Sequence, residues 1–357
     1  MSLDRERVAR YTRAASRWGR LLAGRPGAGA RVFYGHDSVP SPGEPVAGGT
    51  AKFQKLASRF PNQPTDFTVL YLGATWLPRD LRPLLALARR RGIAVVANQD
   101  GVAYPGWAGA QTDALNVPLR RVVQAADHVL YQSAFSKRSS DLFLGEPQGT
   151  WEVLNNAVDV EHFQPVLAPP AGRPVLLLGG DQTQAYRLEL GLRTLAVLRR
   201  SHPDARLLVT GRLVSDPEPL VRELGLAGQV ELAGRYTQRE APSLFGRAHL
   251  LLHTKVNDPC PTLVLEALAC GLPVVHPASG GTPELVGEAG VGVAHDDGFE
   301  RDEPPEPEAL AAAVETVLAE RETYAAEARR RAVERFALGP WLDRHAALFA
   351  ELLARRT

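Results

Sequence analysis

The sequence predicts an α/β protein made of two doubly wound parallel-sheet domains facing each other across a cleft, with helices at the C-terminal end. Three observations carry this expectation. Short apolar runs of strand length alternate with amphipathic runs of helix length through most of the 357 residues, the pattern of parallel strands joined by crossover helices. A stretch with four prolines in ten residues, "PVLAPPAGRP" (165–174), propagates neither a helix nor a central strand and so divides the chain. The alternation then begins again, and the length suits two domains of ordinary size.

The N-terminal unit is read as residues 1–168. Its strands are "ARVFYG" (30–35), "FTVLYLG" (67–73), "IAVVAN" (93–98) and "HVLYQ" (128–132). Between them "PRDLRPLLALARRRG" (78–92) and "TDALNVPLRRVVQAA" (112–126) have helical patterning. The second unit, 169–337, holds strands at "PVLLLGG" (174–180), "ARLLVTG" (205–211), "QVELAG" (229–234), "HLLLHT" (249–254) and "LPVVHP" (272–277), and a first long helix at "RLELGLRTLAVLRRSHP" (187–203). An acidic, proline-rich loop follows, "DDGFERDEPPEPE" (296–308), then two helices. The last, "PWLDRHAALFAELLARR" (340–356), carries an apolar stripe of Trp341, Leu342, Ala346, Leu348 and Phe349, and residues 338–357 are expected to pack back on the first domain. In tandem domains of this kind ligands bind where the carboxyl ends of the strands meet.

Residues 1–24 form a basic amphipathic segment. Val8, Tyr11, Ala15, Trp18 and Leu22 fall on one face, with Arg5, Arg7, Arg10, Arg13, Arg17 and Arg20 largely elsewhere. Such a helix can lie on an anionic membrane or pack on its own domain with a solvated arginine face. The formal net charge of +1 gives no global field to recruit nucleic acid. The two cysteines, Cys260 and Cys270, would lie about 15 Å apart on a helix, too far for a disulfide. Their scarcity suits a reducing cytoplasm. The N-terminus has no signal-peptide core, and no apolar run reaches the ~20 residues of a membrane span.

"DPCPTLVLEALACG" (258–271) holds the densest chemistry. Pro261 suits a helix start and Pro259 keeps the loop before it extended. The amides of Thr262, Leu263 and Val264 then project without internal partners, at the positive end of the helix dipole, as a seat for phosphate. Asp258 lies before that seat, and Glu266 about a turn and a half into the helix. A nucleotide-diphospho-sugar has the same order: sugar hydroxyls, two phosphates, ribose diol, and a carboxylate can accept both hydrogens of a diol. Taken alone, Asp258 is also readable as a loop acid and Glu266 as a helix-surface residue.

"NDPCPTLVLEALACGLPVVHPASGGTPELVGEAGVGV" (257–293) resembles the C-terminal signature of family 4 of the glycosyltransferases, E-x7-E, G-x-P-V-V and G-G-x-x-E-L-V. Glu266 stands at the second glutamate, Asp258 replaces the first, and Gly271, Pro273, Val274, Val275, Gly280, Gly281, Glu284, Leu285 and Val286 match the rest. "NNAVDVEHFQP" (155–165) is similar to the family's N-G-V-D-x-x-x-F-x-P segment, with Ala157 in place of glycine. The resemblance implies the GT-B fold of two Rossmann-like domains, the first binding acceptor and the second donor. It also implies a retaining, metal-independent transfer of a sugar from a nucleotide-diphospho-sugar, as co-substrate, to an acceptor hydroxyl. That would place the protein in polysaccharide, glycolipid or glycoconjugate synthesis, in the cytoplasm or peripheral on the inner membrane face.

The same resemblance places further residues. Gly48 and Gly49 in "VAGGTAKFQKLA" (46–57) would let the backbone approach the donor phosphates, glycine being able to do so without a side chain. Asp100, in "VVANQDGVAYPGW" (95–107), takes the position of a family histidine, where it can orient an acceptor or stabilise developing positive charge. Tyr104, Trp107 and Trp76 could offer a sugar platform or pack in the core. The family's G-R…K-G pattern at the second domain's first strand is absent. "GGDQTQAYRLE" (179–189) has Gly180 at the turn, Asp181 at the arginine position and Arg187 beside the lysine position. Arg187 and Lys255 are the candidate cations for the leaving diphosphate. Tyr236, in "GRYTQ" (234–238), could stack on the base. No His, Cys or carboxylate cluster has metal-site spacing, and no D-x-D occurs. Alternatives of other classes are a nucleotide-sugar epimerase of the same fold and a non-catalytic nucleotide-sugar-binding protein.

Overall fold

The structure is a computed structural model and describes residues 16–41, 44, 48–165, 172–296 and 298–356. Most of the proline-rich divider and the first fifteen residues of the basic segment lie outside the described residues.

The first sheet has five parallel strands in chain order: β1 (Val32–Phe33), β2 (Val69–Gly73), β3 (Ala94–Gln99), β4 (His128–Tyr131) and β5 (Thr150–Val153). The first four lie where the apolar runs put them. β5 is an addition. It sits at the sheet edge with Trp151 and Val153 exposed, so it lacks the unbroken apolar run of a strand covered on both sides. The accompanying helices are residues 16–23 (α1), α2 (Gly48–Ala57), α3 (Leu81–Arg90), α4 (Pro105–Ala108), α5 (Thr112–Ala125) and α6 (Ala134–Leu144).

Alternate residues of β2 feed two cores, as strand periodicity requires. Leu70 and Leu72 meet Leu21 of α1, Leu84 and Leu87 of α3 and Val123 of α5. Val69 and Tyr71 meet Phe53 and Leu56 of α2 together with Trp341, Leu348, Phe349 and Leu352 from the C-terminal end of the chain. In α1 the buried residue is Leu21, with Trp18 packed beside it, whereas Leu22 is 59% exposed. This corrects the expected apolar face by one position. Arg17 is drawn inward instead, donating to the Gly35 carbonyl at 2.7 Å and pairing with Asp80 at 3.3 Å.

The second sheet has six parallel strands, β6 (Val175–Leu178), β7 (Arg206–Thr210), β8 (Val230–Gly234), β9 (Leu250–Leu252), β10 (Val274–Pro277) and β11 (Gly290–Val293), in the order β11-β10-β9-β6-β7-β8. β11, "GVGV", was not expected as a strand. Its glycine has a packing reason, since a Cβ on Gly290 would fall 1.9 Å from the Val274 carbonyl oxygen. The chain reverses direction across the sheet between β6 and β9, so the carboxyl ends of these two strands open a crevice. The helices are α7 (Ala185–Leu198), α8 (Glu218–Glu223), α9 (Ala241–Phe245), α10 (Thr262–Ala269), α11 (Thr282–Val286), α12 (Pro307–Ala319), α13 (Arg321–Arg335) and α14 (Leu338–Ala354). Three helices therefore follow the acidic loop, where two were expected. The break falls at Glu320 (φ −124°, ψ 31°), which no glycine or proline announces.

α14 lies on the first domain: Tyr71 Oη and His345 Nε2 are 3.1 Å apart, and Asp343 pairs with Arg59. The chain thus passes between domains twice. The two passages run side by side, with Val158 and Ala337 in a parallel bridge and the Val158 N–H donating to the Phe336 carbonyl at 2.8 Å. Cys260 and Cys270 are both free thiols. No helix among the described residues is long and apolar enough to cross a membrane.

Candidate active site

The carboxyl ends of β2, β3 and β4 in one sheet and of β6 and β9 in the other converge on a cleft of about 730 Å³. Its floor on the second domain is built from close backbone approaches. Gly179 ends β6 against the start of α10, where a Cβ would fall 2.8 Å from Leu263 Cδ2. Gly180 turns with φ +79°, and its amide is 3.3 Å from Thr210 Oγ1. The start of α10 faces this turn. Pro261 is the residue just before the helix, extended at ψ 113°, and the amides of Thr262 and Leu263 have no hydrogen-bond acceptor among the described residues. The Val264 amide does not join them, because it turns back to the Pro261 carbonyl at 3.1 Å. The expected seat of three amides is therefore one of two.

Asp258 lies in the cleft beside Lys255 Nζ at 3.2 Å and His253 Nε2 at 3.6 Å. Burial alone would raise its carboxyl, but Lys255, His253 and Arg187 outweigh burial and hold it below the usual carboxylate range. The loop carrying Asp258 is locked by the two signature glycines. Gly281 donates to the Asp258 carbonyl at 2.9 Å, and a Cβ on Gly280, which has φ +70°, would fall 2.5 Å from the same oxygen. The Glu284 carboxylate crosses to the first domain, accepting from the Ala134 amide at the start of α6 at 2.8 Å and from Asn155 Nδ2 at 2.9 Å. Much of the signature thus holds one loop and joins two domains.

Arg187, in the first turn of α7, is buried and lines the cleft. Its guanidinium donates to the Asp181 carbonyl at 2.8 Å and the Gly179 carbonyl at 3.4 Å, and its Nε has no partner. Burial lowers its pKa, with Asp258 the leading opposing influence. Asp181 also lines the cleft but is committed to the backbone amide of Arg212 at 2.8 Å.

On the first domain Gly48 and Gly49 open α2. Gly49 borders the cleft, and a Cβ there would meet Thr75 Oγ1 at 2.5 Å. Asp100 ends β3 and is not a free carboxylate. It accepts from Lys52 Nζ at 2.6 Å, Thr75 Oγ1 at 2.7 Å and its neighbour's amide at 3.0 Å. The Lys52 and Asp100 side chains are 3% and 8% exposed. Tyr104 and Trp107 line the cleft as expected, whereas Trp76 does not: it stacks on His36 with ring centroids 3.7 Å apart.

Glu266 and Tyr236 lie behind the cleft wall rather than on it. Glu266 is 3% exposed, its Oε1 has no partner, and burial raises its carboxyl against the pull of Lys55, Gln238 and His162. Lys55 of α2 is half-buried at the seam between domains and donates to the Ala157 carbonyl at 2.7 Å. Tyr236 packs edge-on against Phe245, 6.2 Å between centroids.

Three polar residues of this region escaped the sequence. Lys52 and Lys55 sit one helical turn apart after the Gly48–Gly49 pair, a spacing that places both on one face. His253 ends β9 at the switch point, buried with neither ring nitrogen hydrogen-bonded, and burial lowers its pKa to about 3. A histidine at the end of an apolar run was the available signal. Among the described residues no group of three His, Cys, Asp or Glu side chains is placed to hold a metal ion.

Two facing parallel-sheet domains, with a glycine turn, a helix start and an acid converging at the switch point of the second, define the GT-B class of fold. Solved structures of similar shape are sucrose-phosphate synthase from Thermosynechococcus elongatus, with a TM-score of 0.67 and 18% identity over 85% of this chain and 77% of that one, and Anabaena HepE in complex with UDP, with a TM-score of 0.64 and 18% identity over 84% and 81%. Residues 159–335, chiefly in the second domain, match the family described as glycosyl transferases group 1. It is also similar to the GDP-mannose-dependent alpha-(1-6)-phosphatidylinositol monomannoside mannosyltransferase of Mycolicibacterium smegmatis, 28% identical over 255 residues. That match spans 65% of this chain and 64% of the relative's length.

Proposed function

We propose that the protein is a glycosyltransferase that moves a sugar from a nucleoside-diphosphate donor to an acceptor hydroxyl, with retention and without a metal ion. The observation that carries this is the meeting, in one cleft, of the Thr262 and Leu263 amides with the Gly179–Gly180 turn, Asp258, Lys255 and Arg187. Amides and a helix dipole suit a diphosphate, two cations suit its departure, and Asp258, held ionised, suits the sugar hydroxyls. The family match and the nucleotide in the HepE structure support the same choice.

In this reading the acceptor oxygen bonds to the anomeric carbon as the bond from that carbon to the diphosphate breaks. The acceptor's proton passes to the departing diphosphate. Lys255 and Arg187 face the charge that develops there. Asp100, fixed by Lys52 and Thr75, orients the acceptor. Glu266 would reach the ribose only if the α2 wall carrying Lys55 gives way when donor enters. A transferase, unlike an epimerase, needs a second wall for an acceptor, and the first domain supplies one.

The test is a thermal-shift screen with UDP, GDP and ADP, followed by incubation with the matching nucleotide-sugars without acceptor. A raised melting temperature with one base and slow release of that nucleoside diphosphate are expected. No shift with any of the three would remove the reading.

A further inference from the structure

The two ends of the cleft differ in chemistry. The end on the second domain is polar and charged. The opposite end, on the first domain, is walled by Leu77, Val102, Trp107, Leu115, Leu119 and Phe135. These come from five separate places, the loops after β2 and β3 and the helices α4, α5 and α6, yet they meet as one surface. Leu77, Val102 and Leu119 are the cleft-facing edge of the domain's own core, so this wall is rigidly backed. Trp107 and Leu115, at the mouth, are 54% and 42% exposed, and a tryptophan left that open on a concave surface is costly unless something covers it. The polar side chains of the first domain that line the cleft beside this wall, Asp100, Thr75, Gln132, Ser139 and Asn156, already hydrogen-bond to other protein groups.

We propose that the acceptor is an amphiphile: a hydroxyl-bearing head placed at Asp100 and an apolar group, alkyl or aromatic, lying along the wall from Phe135 out to Trp107 and Leu115. The inference rests on the reading of the reaction given above and adds the substrate class. A bare sugar would leave this wall wet and find few groups to hydrogen-bond. An apolar substituent removes both itself and the wall from water, which is worth about a fourfold gain in affinity per methylene buried. A chain reaching past Trp107 also has an open way out, because the mouth is exposed.

The experiment compares methyl, octyl and 4-nitrophenyl glycosides of glucose, mannose and galactose, below micelle-forming concentrations. Binding is measured calorimetrically with the tightest nucleoside diphosphate present, and transfer is measured in parallel. For at least one sugar the octyl or nitrophenyl glycoside should bind tenfold or more tightly than the methyl glycoside. Preference for octyl over nitrophenyl would assign an alkyl chain, the reverse an aromatic group. In Trp107→Ala/Leu115→Gln, two surface substitutions that leave the core intact, the preference should fall at least fivefold while affinity for the nucleoside diphosphate is unchanged. Equal binding of methyl and apolar glycosides, or a preference that survives the double substitution, would overturn the inference while leaving the donor reading in place. Absence of nucleoside diphosphate binding would instead bring down the reaction itself.

Discussion

Asp258 and Glu266 look alike in the sequence and differ in their surroundings. Asp258 is kept ionised by the cations Lys255 and Arg187, and Glu266 is pushed toward its neutral form by burial. Asp258→Asn is therefore expected to lower kcat by about a hundredfold, on the scale of losing one aimed charged contact, with donor affinity changed less. Steady-state kinetics with varied donor would check it, and a loss confined to KM would contradict it. Lys52→Met leaves Asp100 buried and unpaired, so a destabilisation of about 3 kcal/mol is expected, and Lys52→Met/Asp100→Asn should recover part of it in urea denaturation. The acids, the glycines and the two cleft-facing cations were legible as residue types because each chemistry demands them. The partners that decide their state were not, because Lys52 reaches Asp100 across 48 positions of sequence, which no local pattern records.

Among the elements, strands buried on both faces were easy to read and edge strands were not. β5 exposes three of its four residues and β11 is half glycine, so neither has an apolar run. The helix after "DPCP" was legible to within one residue. The use of its amides was not, since a single tightened first turn decides whether Val264 points out or back. The acidic loop shows how composition misleads. It was expected only as an acidic, proline-rich loop, yet Phe299 inserts between Tyr104, Phe135 and Phe143 with centroids 5.2 to 5.6 Å away, the Gly106 amide donates to the Phe299 carbonyl at 2.8 Å, and Tyr104 Oη donates to Asp302 at 2.9 Å. The loop thus straps the second domain to α4 and α6. Phe299→Ala should cost about 1–2 kcal/mol for a half-buried ring and speed hydrogen exchange in residues 298–306. Unchanged exchange there would mean the strap is held by its hydrogen bonds alone.

For the whole molecule, three histidines are buried and held neutral: His253 is lowered to about 3, and His276 and His345 to about 4, each chiefly by burial. Unfolding lets each bind a proton near pH 6.5. The unfolded chain therefore gains protons as pH drops from about 6.5 toward 4, and stability falls with it by about 1.4 kcal/mol per unit for each histidine. Glu266 acts in the opposite sense just above pH 4.5, where its raised carboxyl keeps a proton that the unfolded chain releases, so it offsets part of this loss. Melting temperatures should be level above pH 7 and fall steeply between 6.5 and 5. A flat profile across that range would show these imidazoles to be charged or hydrated. Removal of residues 338–357 should unfold the first domain rather than trim the second, because Trp341, Leu348, Phe349 and Leu352 complete the core beneath β2.

The bridge between Val158 and Ala337 carries a mechanical consequence. Two bodies tied by one tether can swing and spin in any direction. Here the outgoing and returning chains are pinned to each other where they cross, so they form a single axle. The jaws can part and meet about that line, but they have little freedom to twist or slide. Whatever enters the cleft will therefore be gripped in one fixed register, with Asp100 always returning opposite Asp258.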